Sequence, residues 1–441
     1  MPTVLTPDQA DIAAQVLEQL RSAGDGSQTT VMSEPARQVL NALIARYARA
    51  ANAARRVSQI LLPPLPGDDD LAGAPIFADL ADAQVWYFDN AEGIFAALVL
   101  ASLHGVDEHV SRVVRGLEYV LLCAHDVDRS LALAEIALAS ARRLGDTAAE
   151  AHALLNRGGG HKMAGQPANA VQDYQQAATL LAAANDTAGT AAALSRLGVA
   201  HAAARQLDVA DAAFNQLQAL NGNPDGVLQA LTYVNRAWIA NQRGETDTAI
   251  AHGLAGLEAL DDCNADKRWF PDAHLQLATA YTRTGDIDRA RNHLSTASML
   301  IAYGAGTVPL NIAATLTEGE VLLAQGHHRD ALAAFQRAVL GQSAAPHPYR
   351  RPDAIDGVGE VLFELGEYEQ AAEQHAAALA ERTRAGEPFA TARTLCHLAK
   401  AKAAAGRSEE AARLREQALL DLAGIVDPAA DALRAELNRA V

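Results

Sequence analysis

A tight turn recurs about every forty residues through the second two-thirds of the chain. The turns follow one another at intervals of 39 to 41 residues. They are centred on Gly165, Arg205, Gly244, Gly285, Gly326, Gly366 and Gly406. Self-similarity at such a period is typical of repeat proteins, in which each unit packs only on its neighbours. The 441 residues therefore need not divide into several separate cores.

Small residues keep a fixed register relative to each turn. Seven residues before it stand Gly158, Gly198, Ala237, Ala278, Gly319, Gly359 and Ala399. Five residues after it stand Ala170, Ala210, Ala249, Ala290, Ala331, Ala371 and Ala411. Two antiparallel helices approach closely only where both present small side chains. The register therefore predicts a helix A before each turn and a helix B after it, with the aromatics nine residues after the turn (Tyr174, Phe214 and Phe335) filling the core.

These positions resemble the signature of the tetratricopeptide repeat, as residues 365–371 illustrate. That repeat usually has a period of about 34 residues, so each unit here carries about six extra residues. A HEAT or armadillo array, with a period of about 40 to 47 residues, is the alternative fold, but it lacks this small-residue register. The predicted fold is all-α, a right-handed superhelical solenoid of about seven clear tetratricopeptide-like helix pairs and one degenerate N-terminal pair.

Composition and charge narrow the functional classes. Hydrophobic residues make up 50% of the chain but aromatic residues only 5%, which favours helices rich in Ala and Leu. The net charge of −17 disfavours direct binding to nucleic acid, because phosphate contacts dominate such affinity. Three distant cysteines form neither a disulfide framework nor a zinc motif. We expect no membrane span and no export signal, and hence a cytoplasmic location.

The repeats occupy only part of the chain. Residues 1–104 are predicted to form an N-terminal helical region with a helix over 1–23, a polar break at 24–30, a helix over 35–62 and a Pro-rich break near 63–76. Residues 105–146 are predicted to be the degenerate first repeat or cap, because terminal repeats often lose their register. Seven repeats follow over 147–427, and 428–441 is predicted to be a capping helix.

From about residue 33 the order of features resembles the C-terminal repeat region of actinobacterial antibiotic regulatory proteins of the SARP type and of related signal-transducing ATPase regulators. The resemblance rests on residues 47–56, the Pro-rich break at 63–66, residues 79–83 with Trp86, residues 92–97 and residues 139–146. It implies a repeat architecture in a regulatory protein. Such regulators usually carry DNA-binding and ATPase domains ahead of the repeats, but only about 32 residues precede the similarity here.

We find no motif for catalysis, for a cofactor or for a metal. The run Gly158-Gly159-Gly160-His161-Lys162 has the wrong spacing for a phosphate-binding loop and is predicted to be a close helix crossing. His161, His327, His328 and His397 have no partner at the spacing of a metal pair. The sequence therefore predicts a protein that is not an enzyme.

In a superhelix of this type the A helices line the concave groove, so positions about nine or ten, six, and two or three residues before each turn are expected to be exposed there. The groove residues predicted to bind a partner are Asn156, Lys162, Asn235, Trp238, Asn241, Gln242, Gln276, Arg283, Glu320, Asp356 and Glu360. Asn156 and Asn235 share one register, and an Asn amide suits a peptide backbone because it both donates and accepts. The alternative is that these amides form hydrogen bonds within the array.

An acidic cluster lies near the end of the groove. Asp353, Asp356, Glu360 and Glu364 are spaced by three or four residues, which places them on one helix face. They form either a solvated acidic stripe or a surface for a basic partner.

Together these observations predict a non-catalytic scaffold that binds a protein or peptide in a bacterial transcriptional-regulatory or signalling pathway. The alternative is a sensor whose superhelix changes shape when it binds a small molecule or short peptide. Assembly with further copies of the chain stays open.

Overall fold

The computed structural model describes residues 32–58, 70–124, 126–220, 226–305, 307–342, 350–385 and 387–439. Within these ranges the regular structure is helical and contains no strand. The predicted helix over 1–23, the polar break at 24–30 and the prolines at 63–66 lie outside the described residues. Residues 70–79 have no helical structure, and the break expected near 63–76 stays a prediction.

In the described residues four helices precede the regular repeats: α1 (Glu34–Ser58), α2 (Leu80–His104), α3 (Val110–Ala124) and α4 (Val127–Leu144). Helix α1 packs against both α2 and α3, and α3 packs against α4. Gly116 allows the close approach of α3 to α1, because a Cβ there would lie 2.6 Å from the backbone carbonyl carbon of Ala51.

Seven helix pairs follow, each an A helix and then a B helix. They are α5 (Thr147–Met163) with α6 (Pro167–Ala183), α7 (Thr187–Ala203) with α8 (Leu207–Ala219), α9 (Gly226–Arg243) with α10 (Thr246–Asp262), α11 (Phe270–Thr284) with α12 (Ile287–Leu300), α13 (Val308–Ala324) with α14 (His328–Leu340), α15 (Arg351–Glu364) with α16 (Tyr368–Ala385), and α17 (Pro388–Ala404) with α18 (Ser408–Asp421). Helix α19 (Pro428–Arg439) comes last. A 3₁₀ turn (Lys267–Trp269) precedes α11, and a π-helical turn (Ile301–Ala305) follows α12.

The small-residue register determines how each pair packs. The alanine five residues after the turn is fully buried in all seven pairs, as predicted. The glycine seven residues before the turn packs directly on the ring nine residues after it. A Cβ at Gly158 would lie 2.5 Å from Tyr174, one at Gly198 2.6 Å from Phe214, and one at Gly319 2.7 Å from Phe335. The predicted role of these rings as core residues is therefore confirmed.

The residue at the centre of each turn adopts a left-handed backbone conformation. Six of the seven are glycines, which tolerate a positive φ without steric cost. The exception is Arg205, whose φ is 56°, a conformation that costs a residue with a Cβ about 1–2 kcal/mol. The side chain of Arg205 also makes contacts that are described below.

The contacts divide the chain into two compact units. Unit 1 comprises residues 1–197 and 219–223, and unit 2 comprises residues 198–218 and 224–441. The division falls within the repeat array, so the predicted boundaries at residues 104, 146 and 427 stay predictions. No helix in the described part of the chain is both long and apolar enough to cross a membrane.

Candidate functional site

The A helices of unit 2 form a continuous row. Helix α9 contacts α11, α11 contacts α13, α13 contacts α15, and α15 contacts α17. Polar side chains from successive A helices therefore become neighbours, although they are about one repeat apart in the sequence. We call the polar and charged side chains of α9, α11, α13, α15 and α17 the A-helix row.

Nine of the eleven predicted binding residues lie in the A-helix row of unit 2, whereas Asn156 and Lys162 lie on α5 in unit 1. Arg283 and Lys162 are exposed, and six others are half-buried: Asn235, Trp238, Gln242, Gln276, Glu320 and Glu360. The expectation of exposure was wrong for Asn156, Asn241 and Asp356, which are 5%, 4% and 1% exposed. Neighbouring helices cover these three side chains, a packing that the register within one helix does not reveal.

An amide and guanidinium cluster joins α9 to α11. The Nδ2 of Asn241 donates to both the backbone oxygen and the side-chain Oε1 of Gln276, at 3.0 Å in each case. Arg283 in turn donates to the backbone oxygen of Asn241. The Oδ1 of Asn241 is buried and has no hydrogen-bond partner among the described residues. The Asn241 amide is therefore held within the array through its donor group, and its acceptor is left without a partner among the described residues.

Charged side chains of both signs lie on α11 and α13, the next two helices of the A-helix row. Arg283 reaches solvent, yet protein surrounds its guanidinium closely enough that burial lowers its pKa. Burial raises the pKa of Glu320, while the nearby Arg350 and Arg283 act in the opposite direction. The centre of the row therefore offers a basic and an acidic group whose partial desolvation strengthens their interactions with a bound ligand.

The predicted acidic stripe is wrong, because arginines from the start of the same helix and from the next two helices lie against it. The carboxylate of Asp353 accepts from Arg350 at 2.6 Å, from Arg382 at 2.7 Å and from Arg393 at 3.3 Å. Burial alone would raise the pKa of Asp353, but these arginines hold it below its ordinary value. Glu360 and Glu364 remain accessible, while Asp356 is buried. The end of the row is a mixed-charge network rather than an acidic surface.

Asp356 lies at the centre of a buried cluster. Its Oδ1 is 2.7 Å from Nδ1 of His375 on α16, and its Oδ2 is 3.3 Å from Nδ1 of His397 on α17. Thr394 donates to the same Oδ2 at 3.1 Å. Burial would raise the pKa of Asp356, but His397 and His375 hold it well below the ordinary value. The ligand-type atoms of Asp356, His375 and His397 all lie within 4.8 Å of one another, close enough to hold a metal ion.

A cavity of about 280 Å³ adjoins this cluster. Its lining includes both histidines, and the remaining residues are Leu323, His328, Glu360, Phe363, Glu364 and Lys400. The Oε1 of Glu360 is 3.3 Å from Nδ1 of His397. Although burial lowers the pKa of His397, the carboxylates of Glu360 and Asp356 outweigh it and raise that pKa above the ordinary value.

Unit 1 contains a second buried polar group. His152 on α5 is 2% exposed, and neither ring nitrogen has a hydrogen-bond partner among the described residues. Burial, reinforced by Arg115, Arg196 and Arg55, lowers the pKa of His152 to about 3. Arg196 pairs with Glu118 on α3. The Oδ1 of Asn156, one helical turn from His152, is also buried without a partner in the described residues. This side of α5 therefore carries a neutral imidazole beside positive charge.

The C-terminal segment packs back on the start of unit 2. Asp427 accepts from Arg205 at 2.9 and 3.1 Å, and the Arg205 guanidinium lies 3.4 Å from the ring centre of Phe389 on α17. Arg205 also donates to the backbone oxygen of Gln242 at 3.1 Å. Helix α19 contacts α9 as well as α17 and α18. It therefore contacts the third repeat as well as the last one.

Comparisons with known proteins bear on the fold. No protein-family model matches the chain, and no curated protein does. A Rap protein complexed with Competence and Sporulation Factor matches with a TM-score of 0.51 at 13% identity, over 75% of this chain and 97% of that one.

Two other solved structures are more distant likenesses. NprR in complex with its cognate peptide NprX has a TM-score of 0.48 at 13% identity, over 63% of this chain and 81% of that one. A signal-transduction ATPase with a tetratricopeptide repeat sensor from Pyrococcus horikoshii has a TM-score of 0.46 at 13% identity, over 94% of this chain and 62% of that one. The predicted all-α, tetratricopeptide-like repeat fold is confirmed.

Proposed function

We propose that this chain is a non-catalytic repeat scaffold and that the A-helix row of unit 2 binds an extended peptide or protein segment. The observation that carries the proposal is the group formed by Asn241, Gln276 and Arg283. Its amides are already ordered by mutual hydrogen bonds, so a ligand does not have to immobilise them. The third residue of the group, Arg283, is exposed to solvent.

The chemistry of the row suits a polypeptide. A peptide backbone presents alternating hydrogen-bond donors and acceptors. The amide side chains of Asn235, Gln242 and Gln276 can bond to either kind, because each has an NH₂ donor and a carbonyl acceptor. Arg283 and Glu320 provide one site for each sign of side-chain charge. Trp238 is half-buried in the core beside Phe214 and Ile239, and its remaining surface offers an apolar contact.

The regulatory setting is part of the same proposal. The Rap protein whose fold this chain shares was solved with a bound factor, which fits a partner-binding role. The resemblance of residues 47–146 to the SARP-type and ATPase regulators favours a bacterial regulatory or signalling pathway and a cytoplasmic location. The net charge of −17 favours a protein or peptide partner over nucleic acid.

A sensor is the second candidate, and the contact of Asp427 with Arg205 favours it. This contact joins residues 222 positions apart within unit 2. A ligand with different affinities for the joined and separated forms would shift the equilibrium between them.

The test uses the purified full chain and a phage-displayed library of random peptides. Selected peptides are synthesised and titrated by fluorescence anisotropy against the wild type and against Gln276→Ala/Arg283→Ala. The matched control is Arg291→Ala/Asn292→Ala, which removes an arginine and an amide from exposed positions on α12 of the same repeat.

We expect at least about a tenfold loss of affinity in the first double variant, about 1.4 kcal/mol, and unchanged affinity in the control. Equal affinity of both variants for every selected peptide would place binding elsewhere. A library that yields no peptide dependent on the A-helix row would contradict the proposed function.

A further inference from the structure

Residues from three helices of two successive repeats meet around Asp356. Asp356 and Glu360 lie one turn apart on α15, His375 lies on α16, and His397 lies on α17. His375 occupies the position nine residues after the turn, where other repeats place Tyr174, Phe214 or Phe335. Gly359 packs on its ring, since a Cβ there would lie 2.6 Å from Cε1. The imidazole is therefore held in one place by the same packing that positions the aromatic rings.

The separations within the cluster match the ligand spacing of a metal site. A tetrahedral zinc ion bound at about 2.0–2.1 Å keeps neighbouring ligand atoms roughly 3.3 Å apart. Here Nδ1 of His397 lies 3.3 Å from oxygens of both Asp356 and Glu360. Nδ1 of His375 lies 2.7 Å from the other oxygen of Asp356, a hydrogen-bond distance, so this contact would have to open for an ion to enter.

One atom of the cluster makes only loose contacts. The Nδ1 of His397 is buried between two carboxylates and lies 3.3 Å from an oxygen of each, without a hydrogen bond of good geometry in the described part of the chain. These separations exceed the ~2.7–2.9 Å of a charge-assisted N–H···O hydrogen bond. A cation between this nitrogen and the carboxylates would contact all three groups.

The surroundings of Asp356 are those of an oriented carboxylate ligand. Thr394 donates to Oδ2 at 3.1 Å, and Nη2 of Arg382 lies 3.8 Å from the same oxygen. Such outer contacts commonly fix the orientation of metal ligands. The adjoining cavity, with His328 and Lys400 in its lining, gives an ion a path from solvent.

We propose that Asp356, His375 and His397 form a binding site for a divalent transition-metal ion, best matched by Zn²⁺, with Glu360 as the fourth ligand. The ion links α15, α16 and α17, so its binding stabilises the contact between the sixth and seventh repeats. The proposal does not depend on peptide binding by the A-helix row.

The test begins with the purified full chain, stripped with EDTA and dialysed into metal-free buffer. Zn²⁺ is titrated by isothermal calorimetry, and Co²⁺ is added separately because its visible absorption reports the ligand field. The variants are His375→Gln, His397→Gln and Glu360→Gln. The matched control is His274→Gln/His293→Gln, which removes a second pair of adjacent histidines, 2.9 Å apart, on α11 and α12.

We expect one Zn²⁺ per chain with a Kd in the micromolar range or tighter, and a Co²⁺ spectrum of tetrahedral type. Affinity should fall at least about tenfold in each variant and stay unchanged in the control. At a hundredfold excess over the Kd, Zn²⁺ should raise the Tm of the wild type by at least about 3 °C.

Three results would overturn the proposal. They are the absence of binding to the wild type, binding retained in both His375→Gln and His397→Gln, and binding lost in the control. Since His375 is buried, its variant is checked by circular dichroism. If that variant does not fold, two other measurements test the site: the Zn²⁺ affinity of the half-exposed Glu360→Gln variant and the Co²⁺ spectrum of the wild type. An octahedral Co²⁺ spectrum together with an unchanged affinity of Glu360→Gln would contradict the site.

Discussion

Gly158 and Gly159 are adjacent on α5, and the structure gives them different surroundings. A Cβ on Gly158 would lie 2.5, 2.8 and 3.0 Å from three ring atoms of Tyr174, which is 2% exposed and cannot move away. A Cβ on Gly159 would meet nothing closer than the Tyr174 hydroxyl at 3.9 Å. The two positions therefore separate close helix packing from the intrinsic cost of glycine in a helix.

The expected magnitudes follow from these distances. Gly159→Ala should stabilise the protein by up to about 1 kcal/mol, the difference in helix propensity between the two residues. Gly158→Ala gains the same amount but overpacks the Tyr174 ring, at a cost of about 1–3 kcal/mol. Helix propensity cancels in the comparison, so Gly158→Ala should be less stable than Gly159→Ala by about 1–3 kcal/mol.

The assay is urea unfolding of the full chain followed by circular dichroism, with hydrogen exchange to locate the change in α5 and α6. Tyr174→Leu provides a double-mutant cycle, because a smaller side chain should reduce the cost of Gly158→Ala. Equal stability of the two alanine variants would show that the register seven residues before the turn does not determine the helix crossing.

Further predictions concern buried charge. The pKa of His152, lowered to about 3, lies below that of an unfolded histidine, so its stabilising contribution is complete above about pH 6.5 and is lost as pH falls. Wild type should lose about 1.6 kcal/mol more than His152→Gln between pH 6.5 and pH 5, measured by urea unfolding; equal losses would contradict this. Arg205→Ala should cost roughly 1–3 kcal/mol and speed hydrogen exchange over residues 427–439, and unchanged exchange there would show that Asp427 does not hold α19.

The sequence predicts the helix pairs well because the small-residue register is local. Each glycine seven residues before a turn and each ring nine residues after it belong to one hairpin, so their spacing determines their contact. Six turn glycines have a positive φ for the same local reason.

The details of the site depend instead on contacts between repeats. Asp356 and His397 are 41 residues apart, one repeat period, and His375 lies at the position of the core rings. Aligning the repeats by register would have brought these three residues together, whereas a search for short motifs did not. The contact of Arg205 with Asp427 spans 222 residues and has no signal in the repeat. The burial of Asn241 likewise depends on a neighbouring helix.

We propose that the A helices of unit 2, rather than the B helices, form the binding surface. Hydrogen exchange measured by mass spectrometry, on the full chain with and without a selected peptide, tests this proposal most directly. If the A helices bind the peptide, it should slow exchange in α9, α11 and α13 and leave exchange in α10, α12 and α14 unchanged. Protection confined to those B helices, or to residues 34–104, would contradict it.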